Sequence, residues 1–208
     1  MKILFFTDVH SGDHDDYVEE IEDMHKKFEA LKEKSKECDL MVCCGDVSIF
    51  GGGLKASLQL LKAFNKKLLI IHGNHEMESE LKSLCDNKNI IFLHKKVLTI
   101  DGVTFAGYGG GGFSEADERL DEWVKKIKQE FTQPSVLFTH GPPYNTTLDE
   151  LPDWGHRGSK SIRKAIETLQ PTLFAAGHFH EPFFARDTIG PTQLLNPGDT
   201  GVILEIKK

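Results

Sequence analysis

The sequence predicts an α/β fold in which two mixed β-sheets pack face to face with helices on the outside. Three observations predict it. Short apolar runs without polar alternation, such as residues 3–6 and 68–71, read as strands buried on both faces. Amphipathic helical stretches separate these runs, which is the alternation expected of parallel βαβ units. Short strand pairs joined by tight turns interrupt that alternation and supply antiparallel edges.

The elements follow in order. Residues 3–6 form the first buried strand. A helix covers about 15–36, because Tyr17, Val18, Ile21, Met24, Phe28 and Leu31 recur at three- and four-residue steps and make one apolar stripe. Residues 40–44 are the second strand. Gly51 to Gly53 precede a helix carrying Leu54, Leu58, Leu61 and Phe64, residues 68–71 are the third strand, and a short helix covers about 79–85. Residues 90–93, 97–100 and 103–106 read as strands, the last two joined by the hairpin signal Asp101-Gly102. Ser114 is expected to cap a helix reaching about residue 131, with Asp117 in the capping-box position. Residues 136–139 are another buried strand. Residues 141–159 carry three prolines and read as irregular. A helix over about 160–170, a strand over 173–176 and short strands over 183–186, 193–195 and 202–206 complete the chain. No linker divides it, so residues 1–208 are expected to form a single domain with no inserted cap domain.

Composition limits the functions available. The chain is 39% hydrophobic and 27% charged, ordinary for a globular protein. A net charge of −7 argues against non-specific nucleic-acid binding, which needs a basic footprint. It leaves a small phosphorylated or nucleotide-type substrate open. Cys38, Cys43, Cys44 and Cys85 form no C-x-x-C pair and read as buried free thiols. The opening MKILFF is too short for a signal-peptide core, and no run approaches a membrane span. A cytoplasmic, reducing location without a membrane partner is the expectation. Oligomeric state has no signature in the sequence.

Each central strand ends in residues that bind metals. The ends are Asp8-Val9-His10, Gly45-Asp46, Gly73-Asn74-His75-Glu76, Thr139-His140-Gly141 and Gly177-His178-Phe179-His180. Ligands of open α/β folds gather beyond the carboxyl ends of strands. Two aspartates, an asparagine and five histidines are thus delivered to one region. Imidazole and carboxylate suit Mn, Fe, Zn, Co and Ni, and the lack of cysteine argues against a structural zinc. Asp8 with His10, and His178 with His180, stand two apart and share one side of an extended strand end. Each pattern alone is weak, since a lone histidine at a strand end is ordinarily solvated or hydrogen-bonded and D-x-H recurs by chance. All of them in order, each after an apolar run, point to a two-metal site.

These motifs resemble those of the calcineurin-like metallophosphoesterases. The family's order is D-x-H, G-D, G-N-H-[DE], H and G-H-x-H; here it reads DVH, GD, GNHE, the His140 of FTHG, and GHFH, spanning residues 8–180. Asn196-Pro197-Gly198 looks like the family's closing turn. HGPPYNTTLDE and GHRGS are most similar to its small, Icc-like phosphoesterase branch. The resemblance implies a four-layer αββα sandwich. It implies one divalent metal held by Asp8, His10 and His180, a second held by Asn74, His140 and His178, and Asp46 bridging both. His75 would stay off the metals and protonate the leaving oxygen as general acid. The implied reaction is hydrolysis of a phosphate ester, a phosphodiester by preference, by a hydroxide bridging the two metals. Manganese is the first choice, with Fe, Zn, Ni or Co as alternatives. A phosphomonoesterase acting on a small metabolite and a non-catalytic metal-binding scaffold of the same fold are the rival readings; the complete motif set favours an enzyme. GDVSIFGGG lacks the Asp-Arg pair that extends this motif in protein Ser/Thr phosphatases, which counts against a phosphoprotein substrate.

The remaining features are read locally. Gly107-Tyr108-Gly109-Gly110-Gly111-Gly112 fits G-x-G-x-x-G, but the next strand ends at His140 rather than at the acid a dinucleotide site needs. A loop beside the metal site, with amides turned to substrate, is expected instead. Within 141–159, Tyr144, Asn145, Trp154, His156 and Arg157 are candidates to line the substrate approach, with His156 and Arg157 as phosphate contacts. His14, His25, His72 and His94 are expected off the metals, and Glu76 is a candidate to orient a neighbour.

Overall fold

The computed structural model describes residues 1–12, 18–111 and 114–207, with side chains of the first helix from residue 22 onward. The first part runs β1 (Lys2–Phe6), α1 (Val18–Ser35), β2 (Leu40–Cys43), α2 (Leu54–Ala63), β3 (Lys67–Ile70), α3 (Glu78–Leu84) and β4 (Ile90–Phe92). There follow β5 (Lys96–Ile100), β6 (Val103–Tyr108), α4 (Glu118–Ile127), β7 (Ser135–Thr139), β8 (Glu150–Leu151), β9 (Gly155–His156) and α5 (Lys160–Leu169). The chain closes with β10 (Leu173–Ala175), β11 (Arg186–Ile189), β12 (Thr192–Leu195) and β13 (Val202–Glu205).

One sheet has the order β13-β1-β2-β3-β4 and the other β11-β12-β10-β7-β6-β5. In the first, β1 to β4 run parallel and β13 is an antiparallel edge. In the second, β6, β7, β10 and β12 run parallel between the antiparallel edges β5 and β11. Both sheets are mixed, and strand alternation divides the core into three. On β1, Leu4 and Phe6 pack with Phe28 and Leu31 of α1 and with Leu54, Leu58 and Leu61 of α2. Ile3 and Phe5 point the other way and meet Phe105, Val136, Phe138 and Leu173 of the second sheet. Beyond that sheet, Leu137, Phe174 and Leu194 lie under Leu120, Trp123 and Val124 of α4 and Ile162 and Ile166 of α5. The result is four layers, αββα. Central strands are buried on both faces, each large side chain contributing roughly 1.5–3 kcal/mol, and so their runs show no polar alternation.

The parallel strands put their carboxyl ends along one rim of each sheet, and the two rims meet. Gly110 N–H donates to the His72 carbonyl (2.8 Å), His178 N–H to Asp8 Oδ2 (2.9 Å), and Thr7 N–H to the Gly198 carbonyl (3.1 Å).

Local details correct the sequence reading. The cap of α4 is Asp117, not Ser114: Asp117 Oδ1 accepts the amides of Arg119 (2.9 Å) and Leu120 (3.3 Å), while Ser114 Oγ donates to the Ala116 carbonyl. A carboxylate there also meets the positive end of the helix dipole. That helix ends at Ile127, short of residue 131. The strand expected over 183–186 is a turn, with Phe183 N–H bonded to the His180 carbonyl and Ala185 N–H to that of Pro182; the strand begins only at Arg186. Residues 141–159 contain the small β8-β9 ladder. The expected start of α1, with His14 and Tyr17, lies outside the described residues. The four cysteines are buried and free. No helix among the described residues is long and apolar enough to cross a membrane.

Candidate metal centre

Asp8 and His10 leave β1, and His178 and His180 leave β10. His10 Nε2 and His180 Nε2 stand 3.1 Å apart, and Asp8 Oδ1 lies 3.6 Å from each. Asp8 Oδ1 is buried without a hydrogen-bond partner among the described residues. The centre of this triangle lies about 2 Å from all three atoms, the length of a bond from a divalent transition metal to nitrogen or oxygen.

A second group surrounds the fully buried His140, at the end of β7. Its Nε2 is 2.9 Å from Asn74 Oδ1 and 3.1 Å from Asp46 Oδ2. Its Nδ1 lies 3.0 Å from the Cys44 carbonyl, which only accepts, so Nδ1 carries a proton and Nε2 is the atom whose proton a cation beside the two oxygens would replace. Ligand atoms of Asp8, Asp46 and His140 all lie within 4.8 Å of one another, as do those of His10, Asp46 and His75; Asp46 therefore faces both groups. The His178 ring stands 5.0 Å from that of His140, and its main-chain N–H donates to Asp8 Oδ2 (2.9 Å). His75 Nε2 is 3.9 Å from Asp46 Oδ2, and the ring lies 4.9 Å from that of His10.

The backbone is bent to make this possible. Asp8, His10, Asp46 and His178 have φ of 51°, 51°, 53° and 73°, a left-handed conformation costing on the order of 1 kcal/mol for each such residue. Cross-loop bonds hold it, including His10 N–H to the Asp46 carbonyl (3.1 Å) and Ser11 N–H to that of Val47 (2.8 Å). Gly73 is required because a Cβ there would collide with the Asp46 carboxylate. Glu76 has a larger part than the sequence suggests. It is buried, its Oε2 accepts the amides of Asp46 (3.0 Å) and Gly73 (2.9 Å), and its Oε1 accepts that of Ser48 (3.0 Å). One carboxylate thus clamps the Gly45-Asp46 loop to the Gly73-Asn74 loop.

Charge in the cluster is finely opposed. Burial pushes the Asp8 carboxyl up, but His10, His180 and His140 outweigh it and hold it well below the usual carboxylate range. Asp46 is lowered in the same way, burial being outweighed by His140. Burial disfavours a charged His140, yet Asp46 and Asp8 raise it to about 9. Burial and the charge on His140 lower His178 to about 4. The site therefore offers ionised carboxylates and a neutral imidazole in a setting that favours positive charge. These donors fit divalent transition metals.

The substrate candidates separate. His156 Nδ1 is 2.9 Å from Asp149 Oδ1. Asp149, fully buried, also accepts the amides of Asn145, Thr146 and Gly158 and so organises the loop from within. Its position in TLDE carries no pattern that marks this role. Arg157 instead lines a cleft with Tyr108, Gly110, Gly111, Gly141 and Pro142. Two amides of the glycine loop face inward, correcting the expectation that they turn to substrate: Gly109 N–H donates to His94 Nδ1 (2.7 Å) and Gly110 N–H to the His72 carbonyl (2.8 Å). Gly112 lies outside the described residues.

His72, Glu78 and His94 form another group with ligand atoms within 4.8 Å. Here the Gly109 amide occupies His94 Nδ1, which places the ring proton on Nε2, the atom 3.9 Å from Glu78. A protonated nitrogen donates and does not ligate. Burial lowers His94 to about 3 and lowers His72 as well.

The profile described as calcineurin-like phosphoesterase matches residues 1–182. An uncharacterized protein of Methanocaldococcus jannaschii is 33% identical over 194 residues, 85% of each chain. A UPF0046 protein of Caenorhabditis elegans is 29% identical over 168 residues, which cover 69% of this chain and 57% of that protein. Among solved structures, a Thermus thermophilus protein superposes with a TM-score of 0.74 at 15% identity, covering 96% of this chain and 89% of the other. A dimetal phosphatase from Danio rerio gives 0.65 at 12% identity, covering 94% and 86%. At these identities the structures speak to the fold alone.

Proposed function

The chain belongs to the calcineurin-like phosphoesterase family, and from that premise we propose that it is a dinuclear metal-dependent hydrolase of phosphate esters, phosphodiesters before monoesters. The observation that carries the reading is the Asp8-His10-His180 triangle set beside the group around His140, with Asp46 facing both. Asp8, His10 and His180 would hold one cation and Asn74, His140 and His178 the other, with Asp46 between them and manganese as the first candidate. Bound there, two cations supply neutralisation of phosphoryl oxygens and a water whose pKa falls towards neutrality.

The protein positions and protonates. Asp46 Oδ1 accepts the main-chain N–H of His75 (2.9 Å), which fixes that residue at the edge of the cluster. From there His75 Nε2 carries the proton to the leaving oxygen. A positioned general acid contributes about 10²–10⁴-fold. His75→Ala is expected to lower turnover by that factor with both metals retained, checked by steady-state kinetics beside elemental analysis; loss of the metals would make His75 a ligand.

Charge favours the diester. The cluster's hydrogen bonds and ion pairs among the described residues come from His, Asp, Asn, Glu, Thr and backbone, with no Lys or Arg. Two divalent cations would carry +4, and the ionised Asp8 and Asp46 with one hydroxide would reduce this to +1, matching the single charge of a diester, whereas dianionic phosphates favour bidentate Arg recognition. Arg157, in the adjoining cleft, is placed for a more distant anionic or polar group of the substrate. The test is hydrolysis of bis-p-nitrophenyl phosphate beside p-nitrophenyl phosphate, after chelation and reloading with Mn²⁺. Metal-dependent preference for the diester supports the reading. Preference for the monoester moves it to a phosphomonoesterase on a small metabolite. No turnover of either with two metals bound makes the chain a scaffold.

A further inference from the structure

Phe50 sits at the tip of a four-residue turn closed by the Gly52 N–H donating to the Ile49 carbonyl (2.9 Å). Both central residues have positive φ, 48° for Phe50 and 77° for Gly51. This is the sign pattern of a type I′ turn, whose first central position takes Asn, Asp or Gly because the Cβ of a bulky residue crowds the backbone there. Phe50 is also 82% exposed, so burial does not offset the strain. A second phenylalanine in the same backbone region shows the ordinary compensation: Phe184, φ 67°, lays its ring against Gly198. Among the described residues Phe50 shows no such bed. Its ring contact among the described residues is with His75, at 4.6 Å between centroids and 49° between planes.

We propose that Phe50 is a specificity residue. It forms an apolar wall on the leaving-group side of the centre and selects phosphate esters whose leaving alcohol carries a flat ring next to the ester oxygen. The inference rests on the reading of His75 as acid to the leaving oxygen, which fixes the side of the phosphate that Phe50 borders. Tilted against His75, the Phe50 ring keeps most of its surface open. A flat group stacked or set edge-on against it buries area on both partners and gains the aromatic pair interaction, which an alkyl leaving group does not. Strain kept at an exposed position beside the reacting groups is the pattern of a functional constraint.

The test sets stability against selectivity. The full-length protein, reloaded with Mn²⁺, is titrated by calorimetry with benzylphosphonate and with ethylphosphonate. Both carry a CH₂ in place of the ester oxygen, neither is hydrolysed, and they differ in the ring. Wild type is expected to bind benzylphosphonate about tenfold more tightly. Phe50→Asn, which suits the turn, is expected to lose that preference and to melt at a higher temperature; Phe50→Trp is expected to keep the preference. An equal affinity for the two phosphonates in wild type, an unchanged preference in Phe50→Asn, or a fall in its melting temperature overturns the proposal. Because binding is read without turnover, the two readings fail separately. A ring preference that disappears in Phe50→Asn, with no ester hydrolysed, would keep the selectivity and remove the reaction. Hydrolysis with an unaltered preference would do the reverse.

Discussion

His72 and Asn74 are separated by one glycine, yet they enter two histidine clusters of opposite character. Around His140 the rings meet Asp8 and Asp46, which raise His140 to about 9 against burial, and Asp8 raises His180. Around His94 the rings meet Phe92, Tyr108 and each other, and burial lowers His94 to about 3. The decisive atom lies on the far ring nitrogen. The Cys44 carbonyl accepts from His140 Nδ1 and leaves Nε2 as the nitrogen whose proton a cation would replace, whereas the Gly109 amide donates to His94 Nδ1 and leaves Nε2 protonated and turned to Glu78. Histidines and a nearby carboxylate are not enough for a candidate metal site; the partner that sets the tautomer decides which ring nitrogen can face a cation.

The contrast is most severely tested at Asp46, where the two halves of the first cluster meet. Asp46→Asn is expected to take bound metal from two equivalents towards one and phosphoester hydrolysis to background, read by elemental analysis and by bis-p-nitrophenyl phosphate turnover. Glu76→Gln leaves every candidate ligand in place but removes an acceptor from the clamped amides. Metal affinity should weaken about 10–100-fold, measured by competition with a chelator. Unchanged affinity would show that the loops hold their shape without it.

The second cluster makes a pH prediction. His94 is held neutral in the fold, so between its unfolded value near 6.5 and its folded value near 3 the unfolded chain binds the extra proton. Stability is therefore lost as pH falls through that window, and His94 adds no pH dependence well above it. Between pH 7 and pH 5 the loss is about 2 kcal/mol. Denaturation of metal-free wild type and His94→Asn at both pH values should show a difference of that size in their pH dependence. Parallel curves would mean that His94 is not held neutral. The weakest effect is expected of Glu78→Gln, which removes the carboxylate nearest His94 and should leave metal content at two equivalents. A missing equivalent would mean that the second cluster holds an ion and that the contrast is mistaken.

Much of the candidate site was legible because each of its residues ends an apolar run, and parallel βαβ connections carry such ends to one rim. The surroundings were less legible. His156 and Arg157 are neighbours in the chain and read as a pair of phosphate contacts, but one turns to Asp149 and the other to the cleft. Ser114 and Asp117 are both good caps, and only the point where the backbone enters the helix chooses between them. Phe183 and Phe184 have strand propensity, which the bonded turn from His180 to Ala185 overrides.

Local pattern was enough for the order of layers and for naming the candidate ligands, because burial on both faces leaves unalternated apolar runs and residues of metal-binding type follow them directly. The folded arrangement alone settles which nitrogen of each histidine is free and which ring is driven neutral. The partners responsible lie 96 residues from His140 and 15 from His94, and their effect depends on burial and on the direction of one N–H or C=O group. No short window of sequence encodes that direction, which is fixed when the two sheets meet and the glycine loop folds back over β3 and β4.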